Sequence, residues 1–129
     1  MIAIMLENLI MQLQSIPMAR DHSVPRGAQL FLQGSPVKSL FLVISGDICL
    51  QRHQTDGGFV ILQRATSGDV LAEASLYSHH YHCHAIAQQN SRVCALPKAS
   101  VIALLQKDHN FCRNWIMHLS REVQQARFR

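Results

Sequence analysis

Three patterns that would assign this 129-residue chain to a particular class are missing. Its four cysteines are never spaced as C-x-x-C, which excludes a zinc ribbon and a thioredoxin-like motif; they are Cys49, Cys83, Cys94 and Cys112. No apolar run approaches the roughly 18 residues of a transmembrane helix. The N-terminal MIAIMLENLI has no basic region and is interrupted by Glu7 and Asn8, so it is a poor signal peptide. We predict a cytoplasmic protein with reduced thiols and no membrane partner.

Strong charge and paired catalytic groups are also scarce. The formal net charge is only +4, which permits an acidic partner without demanding one. No nucleophile lies beside a base in the sequence, and the acids of the central region are Asp69, which reads as a turn residue, and Glu73. We therefore predict that the protein is not an enzyme.

The apolar residues that are present predict a β-rich domain behind one helix. Leu6, Leu9, Leu13 and Ile16 recur every three or four residues, which predicts a helix that Pro17 closes. Short apolar runs separated by glycine follow, as in an all-β sandwich or barrel. The turn at residues 56–58, Asp-Gly-Gly, predicts a hairpin, because glycine adopts positive φ without steric cost.

The helical period returns after Pro97. KASVIALLQ predicts a short helix, and a longer one is expected over residues 109–127, capped by Asp108 or Asn110. The longer helix has an apolar seam with heptad spacing, formed by Cys112, Ile116, Leu119, Val123 and Ala126. Either the seam packs on the barrel of the same chain, or it pairs with a second chain while Phe111 and Trp115 face the barrel.

Four segments carry a family resemblance. FLQGSPVKSLFLVISGDICL and GDVLAEASL resemble the opening and the phosphate-binding cassette of the sensor domain of CRP/FNR-family bacterial transcription regulators. RVCALPKASVIALL and NFCRNWIMHLSREVQQARFR resemble its barrel exit and its dimerisation helix. The resemblance implies a mainly β cyclic-nucleotide-binding-like domain, a double-stranded β-helix (jelly roll) with an N-terminal helix and a C-terminal dimerisation helix.

The resemblance also implies how the chain is organised. Residues 1–107 would form the sensor and residues 108–129 the dimerisation helix of a homodimer. In the family a helix-turn-helix domain follows, and it is absent from this chain, so DNA would be contacted only through that domain. We expect the chain to be the sensor part of a longer regulator.

The resemblance implies a ligand site formed by two segments, with residues Ala72, Glu73, Ala74 and Ser75 in the first and Tyr81, His82 and Cys83 in the second. Glu73 stands where the family's glutamate takes the ribose hydroxyl, although as a capping carboxylate it would be structural only. Ala72 replaces a glycine, Tyr81 the phosphate-binding arginine and His82 a serine. Losing a charged hydrogen bond costs about 1.5–3 kcal/mol. We predict weak or absent cAMP binding and an unknown small-molecule effector.

The segment HHYHCH, residues 79–84, leaves alternatives open. If residues 81–87 form a strand, His80, His82 and His84 share one face and could hold zinc or iron, as in a cupin-like enzyme. No glutamate follows them as the cupin pattern requires. The sequence neither shows nor excludes a haem sensor. Alternatively, His79 and His80 are solvated loop residues and His84 is a partly buried strand residue, or His82 helps to bind an anionic or polar ligand other than cAMP. We predict no cofactor. FNR-type iron–sulfur binding needs a cysteine cluster near the N-terminus, and no cysteine precedes Cys49.

Overall fold

The computed structural model describes residues 2–127, and side chains from residue 7 onward. Its elements are α1 Ile2–Gln14, β1 Arg20–Val24, β2 Gln29–Phe31, β3 Ser39–Ser45, β4 Ile48–His53, β5 Phe59–Ala65, β6 Val70–Leu71, a 3-10 helix Glu73–Ser75, β7 His84–Ala87, β8 Ser91–Pro97, α2 Lys98–Lys107 and α3 His109–Arg127. The strands form two antiparallel sheets, ordered β1-β8-β3-β6 and β2-β7-β4-β5. The predicted mainly β roll with helices at both ends is confirmed.

Two glycine-containing turns connect β3 to β4 and β4 to β5. The predicted hairpin joins β4 to β5 through residues 54–58, and Asp56 Oδ1 accepts a hydrogen bond from the Gly58 N–H at 2.9 Å. Gly46, between β3 and β4, has φ 106°, and a Cβ there would lie 2.6 Å from the backbone Cα of Ser91. Only glycine fits this crossing, because both the backbone conformation and the space exclude a side chain.

The two sheets enclose one apolar core, and the helices form a second on the outside. Val43, Ile48 and Val93 are fully buried between the sheets. On the outer face of the β1-β8-β3-β6 sheet, Leu40, Leu42 and Leu96 pack with residues of all three helices, among them Leu13, Val101 and Phe111. The predicted face of α1 is confirmed for Leu9 and Leu13, whereas the side chain of Leu6 lies outside the described residues.

The long helix is fixed to the rest of the domain at its beginning. Asp108, one of the two predicted caps, is the residue that caps it: its Oδ1 accepts a hydrogen bond from the Phe111 N–H at 3.0 Å. Asn114 donates to Gln12 of α1 at 3.1 Å. Phe111 and Trp115 are buried in the helical core, so they face the barrel. This orientation is the one expected if the seam of α3 pairs with a second chain.

One predicted strand is shorter than expected. β7 begins at His84, and residues 81–83 are not part of it. Tyr81 instead exchanges backbone hydrogen bonds with the loop after β2: its N–H donates to Ser35 and its carbonyl accepts from Gly34, each at 2.9 Å. The strand considered over residues 81–87 therefore forms only from His84 onward. Among the helices of residues 2–127, none is both long and apolar enough to span a membrane.

Candidate functional site

The first candidate segment is a tight connection between β6 and the 3-10 helix. Ala72 has φ 68° and ψ 15°, a left-handed conformation, and it packs partly against the barrel core. Its carbonyl accepts the N–H of Ser75 at 2.9 Å. Ser75 is buried and Ala74 is exposed. An alanine in this conformation is strained by about 1–2 kcal/mol, which is why glycine is the usual residue there.

Glu73, the second residue of the same segment, is directed at α3. Its Oε2 is hydrogen-bonded to Nε2 of His118, and both side chains are about nine-tenths buried, with exposed fractions of 12% and 10%. Glu122 lies one helical turn beyond His118. One ligand atom from each of Glu73, His118 and Glu122 lies within 4.8 Å of the other two. The candidate glutamate therefore belongs to a three-residue cluster shared with the long helix.

Two members of the cluster, Glu73 and His118, have raised pKa values. Burial raises the pKa of Glu73 above its ordinary value, and it outweighs the opposing effect of His118. Burial alone would lower the pKa of His118, but its hydrogen bond to Glu73 and the charges of Glu73 and Glu122 together raise it. The two directions agree if the pair is treated as one titrating unit. Each of its protons is then bound more tightly than by the isolated group.

The second candidate segment places two of its three side chains in the barrel core. Tyr81 is 6% exposed, and its ring stacks on Phe31 with centroids 4.2 Å apart. Its hydroxyl donates to the Ser39 carbonyl at 2.7 Å and accepts from the Ser39 N–H at 3.3 Å. Burial raises the pKa of Tyr81, and also that of the buried thiol of Cys83, where Arg52 opposes it. Both side chains therefore have structural contacts in the barrel.

The histidines of residues 79–84 diverge. His79 and His80 are exposed, and exposed His82 lies 3.2 Å from the hydroxyl of Ser78. Nδ1 of His84 accepts the Gln33 N–H at 3.2 Å, so it is turned toward a different loop. Across the side chains described, no three donors of this segment come together, and the only such cluster is Glu73, His118 and Glu122. A metal site made of His80, His82 and His84 required a strand over residues 81–87, and residues 81–83 do not form one.

The structure thus divides the predicted ligand residues. Ala72, Glu73, Ala74 and Ser75 stay together, whereas Tyr81 and Cys83 enter the core and His82 faces solvent. Sequence reasoning missed His118 and Glu122. Their i, i+4 spacing on a helix, which places two side chains on one face, was the available signal.

The predicted seam of α3 is only partly covered by its own domain. Ile116 and Val123 are 57% and 53% exposed. Cys112 is half-buried and Ala126 is exposed, while Leu119 is half-buried against the helical core. The apolar surface that remains is available for a partner, and the dimer interface remains a prediction.

Comparison with known proteins identifies the family. Residues 21–108 match the model of the cyclic nucleotide-binding domain. The chain belongs to this family. Electron transport regulator A of Shewanella oneidensis is 31% identical over 78 residues, which are 60% of this chain and 31% of that relative. The chain thus spans about a third of the length of the curated relative.

Solved structures show the same fold for this cyclic nucleotide-binding domain. The Catabolite Activator Protein of Thermus thermophilus has a TM-score of 0.79 at 24% identity, covering 94% of this chain and 56% of that one. The sensor domain of the transcriptional regulator DNR from Pseudomonas aeruginosa has a TM-score of 0.78 at 23% identity, covering 94% and 84%. The predicted resemblance to a CRP/FNR-type sensor domain is confirmed.

Proposed function

We propose that this domain is the non-enzymatic ligand-sensing and dimerisation module of a CRP/FNR-type transcription regulator, acting in the cytoplasm, and that its cassette does not bind cAMP tightly. Family membership and the fold of its neighbours support the sensor role. In such a regulator DNA is contacted by a domain outside these 129 residues, and the effector is a small molecule other than cAMP.

The observation that carries this proposal is that Tyr81 and Glu73, at the arginine and glutamate positions of the site, both already have partners within the protein. The arginine position holds Tyr81, a neutral phenol packed in the barrel core. The glutamate position is hydrogen-bonded to His118. To bind cAMP the domain would break that pair and bury a phosphate charge without a guanidinium to meet it. A charged hydrogen bond contributes about 1.5–3 kcal/mol, so its absence weakens binding by at least about tenfold.

Dimerisation is supported by the apolar surface that α3 and β5 leave exposed. Ile116 and Val123 protrude from α3. The nearby β5 strand exposes four consecutive apolar side chains, which are Phe59, Val60, Ile61 and Leu62. Because side chains alternate along a strand, the β5 residues lie on both of its faces. Ile116 and Val123, one heptad apart, share one face of α3, and an exposed apolar stripe of that kind is uncommon on soluble monomers. A two-fold contact between copies of α3 would cover this stripe.

Calorimetric titration of the purified chain with cAMP tests the sensor proposal. We expect no saturable heat at micromolar cAMP, while a cAMP-binding domain of the same family, titrated in the same buffer, gives a normal isotherm. Tight stoichiometric binding to the wild type would contradict the proposal. The His118→Ala variant distinguishes the two obstacles to cAMP binding, which are the Glu73–His118 pair and Tyr81. It frees Glu73 but leaves Tyr81 in place, so we expect that it still does not bind cAMP. If it binds cAMP, His118 rather than Tyr81 is the obstacle.

The alternative of a metal- or haem-binding protein using the His79–His84 segment gains no support. Its histidine side chains have separate surroundings, as described above. A metal ion held by three donors of this segment would require its histidine side chains to rearrange.

A further inference from the structure

We propose that Glu73, His118 and Glu122 form a binding site for one divalent first-row transition-metal ion, of which Zn²⁺ is the probe. The site lies at the junction of the cassette and α3, away from the histidine-rich segment 79–84. It is independent of the proposed sensor function, because metal binding can be present or absent whether or not the domain binds cAMP.

The geometry of the three side chains suits a single ion. Tetrahedral bonds of about 2.0–2.2 Å from Zn²⁺ to nitrogen and oxygen place its donor atoms about 3.3–3.6 Å apart. The three donor atoms already lie within 4.8 Å of one another. His118 and Glu122 are held on one face of a continuous helix, and Glu73 is held by the tight turn at Ala72. Rotations of the two glutamate side chains would bring the three donor atoms to that spacing and complete a three-donor site.

The charges and chemistry of the donors also favour a divalent cation. Two carboxylates and one imidazole are hard and borderline ligands of the kind that zinc and its neighbours accept. The negative charges of Glu122 and Asp69 act on Glu73, and the side chain hydrogen-bonded to Glu73 is His118. An ion with two positive charges would balance both carboxylates and would replace the proton that His118 Nε2 shares with Glu73.

The cluster is reachable from solvent. A cleft of about 440 Å³ lies between β5 and α3, and both Asp69 and Glu122 line it. Arg64 lines the same cleft but is exposed, so its charge is screened by water. A hydrated ion can therefore approach Glu122 first and then exchange water for Glu73 and His118. A bound ion would join segments that are 45 residues apart in the chain.

Zinc titration of the metal-free wild type and of two site variants tests the proposal. We expect one equivalent of Zn²⁺ by calorimetry and a higher melting temperature with zinc, because the ion binds the folded state. Glu122→Gln keeps the Glu73–His118 pair and the size of the side chain, and it should weaken binding by about tenfold or more. His118→Ala should have at least as large an effect. Circular dichroism verifies that each variant is folded.

Two controls distinguish this site from adventitious binding. The double variant His79→Ala, His80→Ala removes exposed histidines outside the cluster and should leave the affinity unchanged. With Co²⁺ as a spectroscopic substitute, the spectrum should lack a sulfur-to-metal charge-transfer band, because none of the donors is cysteine. The proposal is wrong if zinc does not bind, if Glu122→Gln binds it as tightly as the wild type, or if the binding is lost with His79 and His80.

Discussion

Removing the Tyr81 hydroxyl tests how much its hydrogen bonds to Ser39 stabilise the barrel. Tyr81→Phe keeps the ring that stacks on Phe31 and removes only the hydroxyl. That hydroxyl bonds both backbone groups of Ser39, at 2.7 and 3.3 Å, in a part-buried position. Leaving buried polar groups unpaired costs about 1–3 kcal/mol. Because Ser39 is half-buried and water can replace part of the interaction, we expect a loss of about 1–2 kcal/mol in the free energy of unfolding.

This loss has a measurable thermal equivalent. At about 2.1 cal/mol/K per residue, a chain of this length has an unfolding entropy of about 0.27 kcal/mol/K. One kcal/mol then corresponds to about 4 °C, so Tyr81→Phe should melt about 4–8 °C below the wild type. The control is Tyr77→Phe, because Tyr77 is 73% exposed and should change stability by less than about 0.5 kcal/mol.

The assay is equilibrium urea unfolding followed by circular dichroism, at one protein concentration so that any association affects all samples equally. The reasoning fails if Tyr81→Phe and Tyr77→Phe have the same unfolding midpoint. That result would mean that the Tyr81 hydroxyl bonds no better in the folded state than it does in water.

Alkaline titration tests the same contact through its pKa. In Tyr77→Phe, Tyr81 is the last remaining tyrosine, so the phenolate absorbance reports it alone. Burial raises its pKa above the ordinary 10.0. The folded state disfavours the phenolate, so the stability from this group is fully present below the unfolded pKa and is lost as the pH rises through the folded pKa. A titration midpoint at or below that of free tyrosine would refute the assignment.

Two further predictions concern the cassette and the long helix. The free energy of unfolding, measured in urea, should be about 1 kcal/mol higher for Ala72→Gly than for the matched Ala74→Gly variant. Glycine relieves the left-handed strain at Ala72, whereas at Ala74 it only makes the chain more flexible. Equal free energies for the two variants would contradict that strain. In sedimentation at tens of micromolar, Ile116→Glu and Val123→Glu should each turn a wild-type dimer into a monomer, whereas Gln124→Glu on the far face should not. A monomeric wild type would exclude the seam as an interface.

Much of the fold follows from local patterns. The glycine-punctuated apolar runs become the strands of the two sheets, and the turn at residues 56–58 joins β4 to β5 as predicted. The period after Pro97 gives α2 and α3 at nearly the predicted boundaries. These features depend on side chains close in sequence, so periodicity and turn chemistry were sufficient to find them.

The segment before β7 shows why a strand boundary could be misplaced. Tyr81 and Cys83 are buried and His82 between them is exposed, which is the alternation of a strand. The backbone of Tyr81, however, is paired with Gly34 and Ser35 rather than with a neighbouring strand of the sheet. Side-chain alternation predicted the correct burial of these residues. It could not show that their hydrogen bonds go to a loop, because that pairing spans more than 40 residues of sequence.

The cluster at Glu73 could not be found from its own segment, because its partners are set by the position of α3. Phe111 and Trp115 anchor that helix in the helical core. The ring centroids of His118 and Trp115 lie 5.9 Å apart. Successive residues of a helix are about 100° apart, so residues 115, 118 and 122 lie close to one face. Once Trp115 is buried, His118 and Glu122 must turn toward the cassette. The apolar anchors of α3 thus determine the polar site, and a helix rotated by a single residue would separate His118 from Glu73.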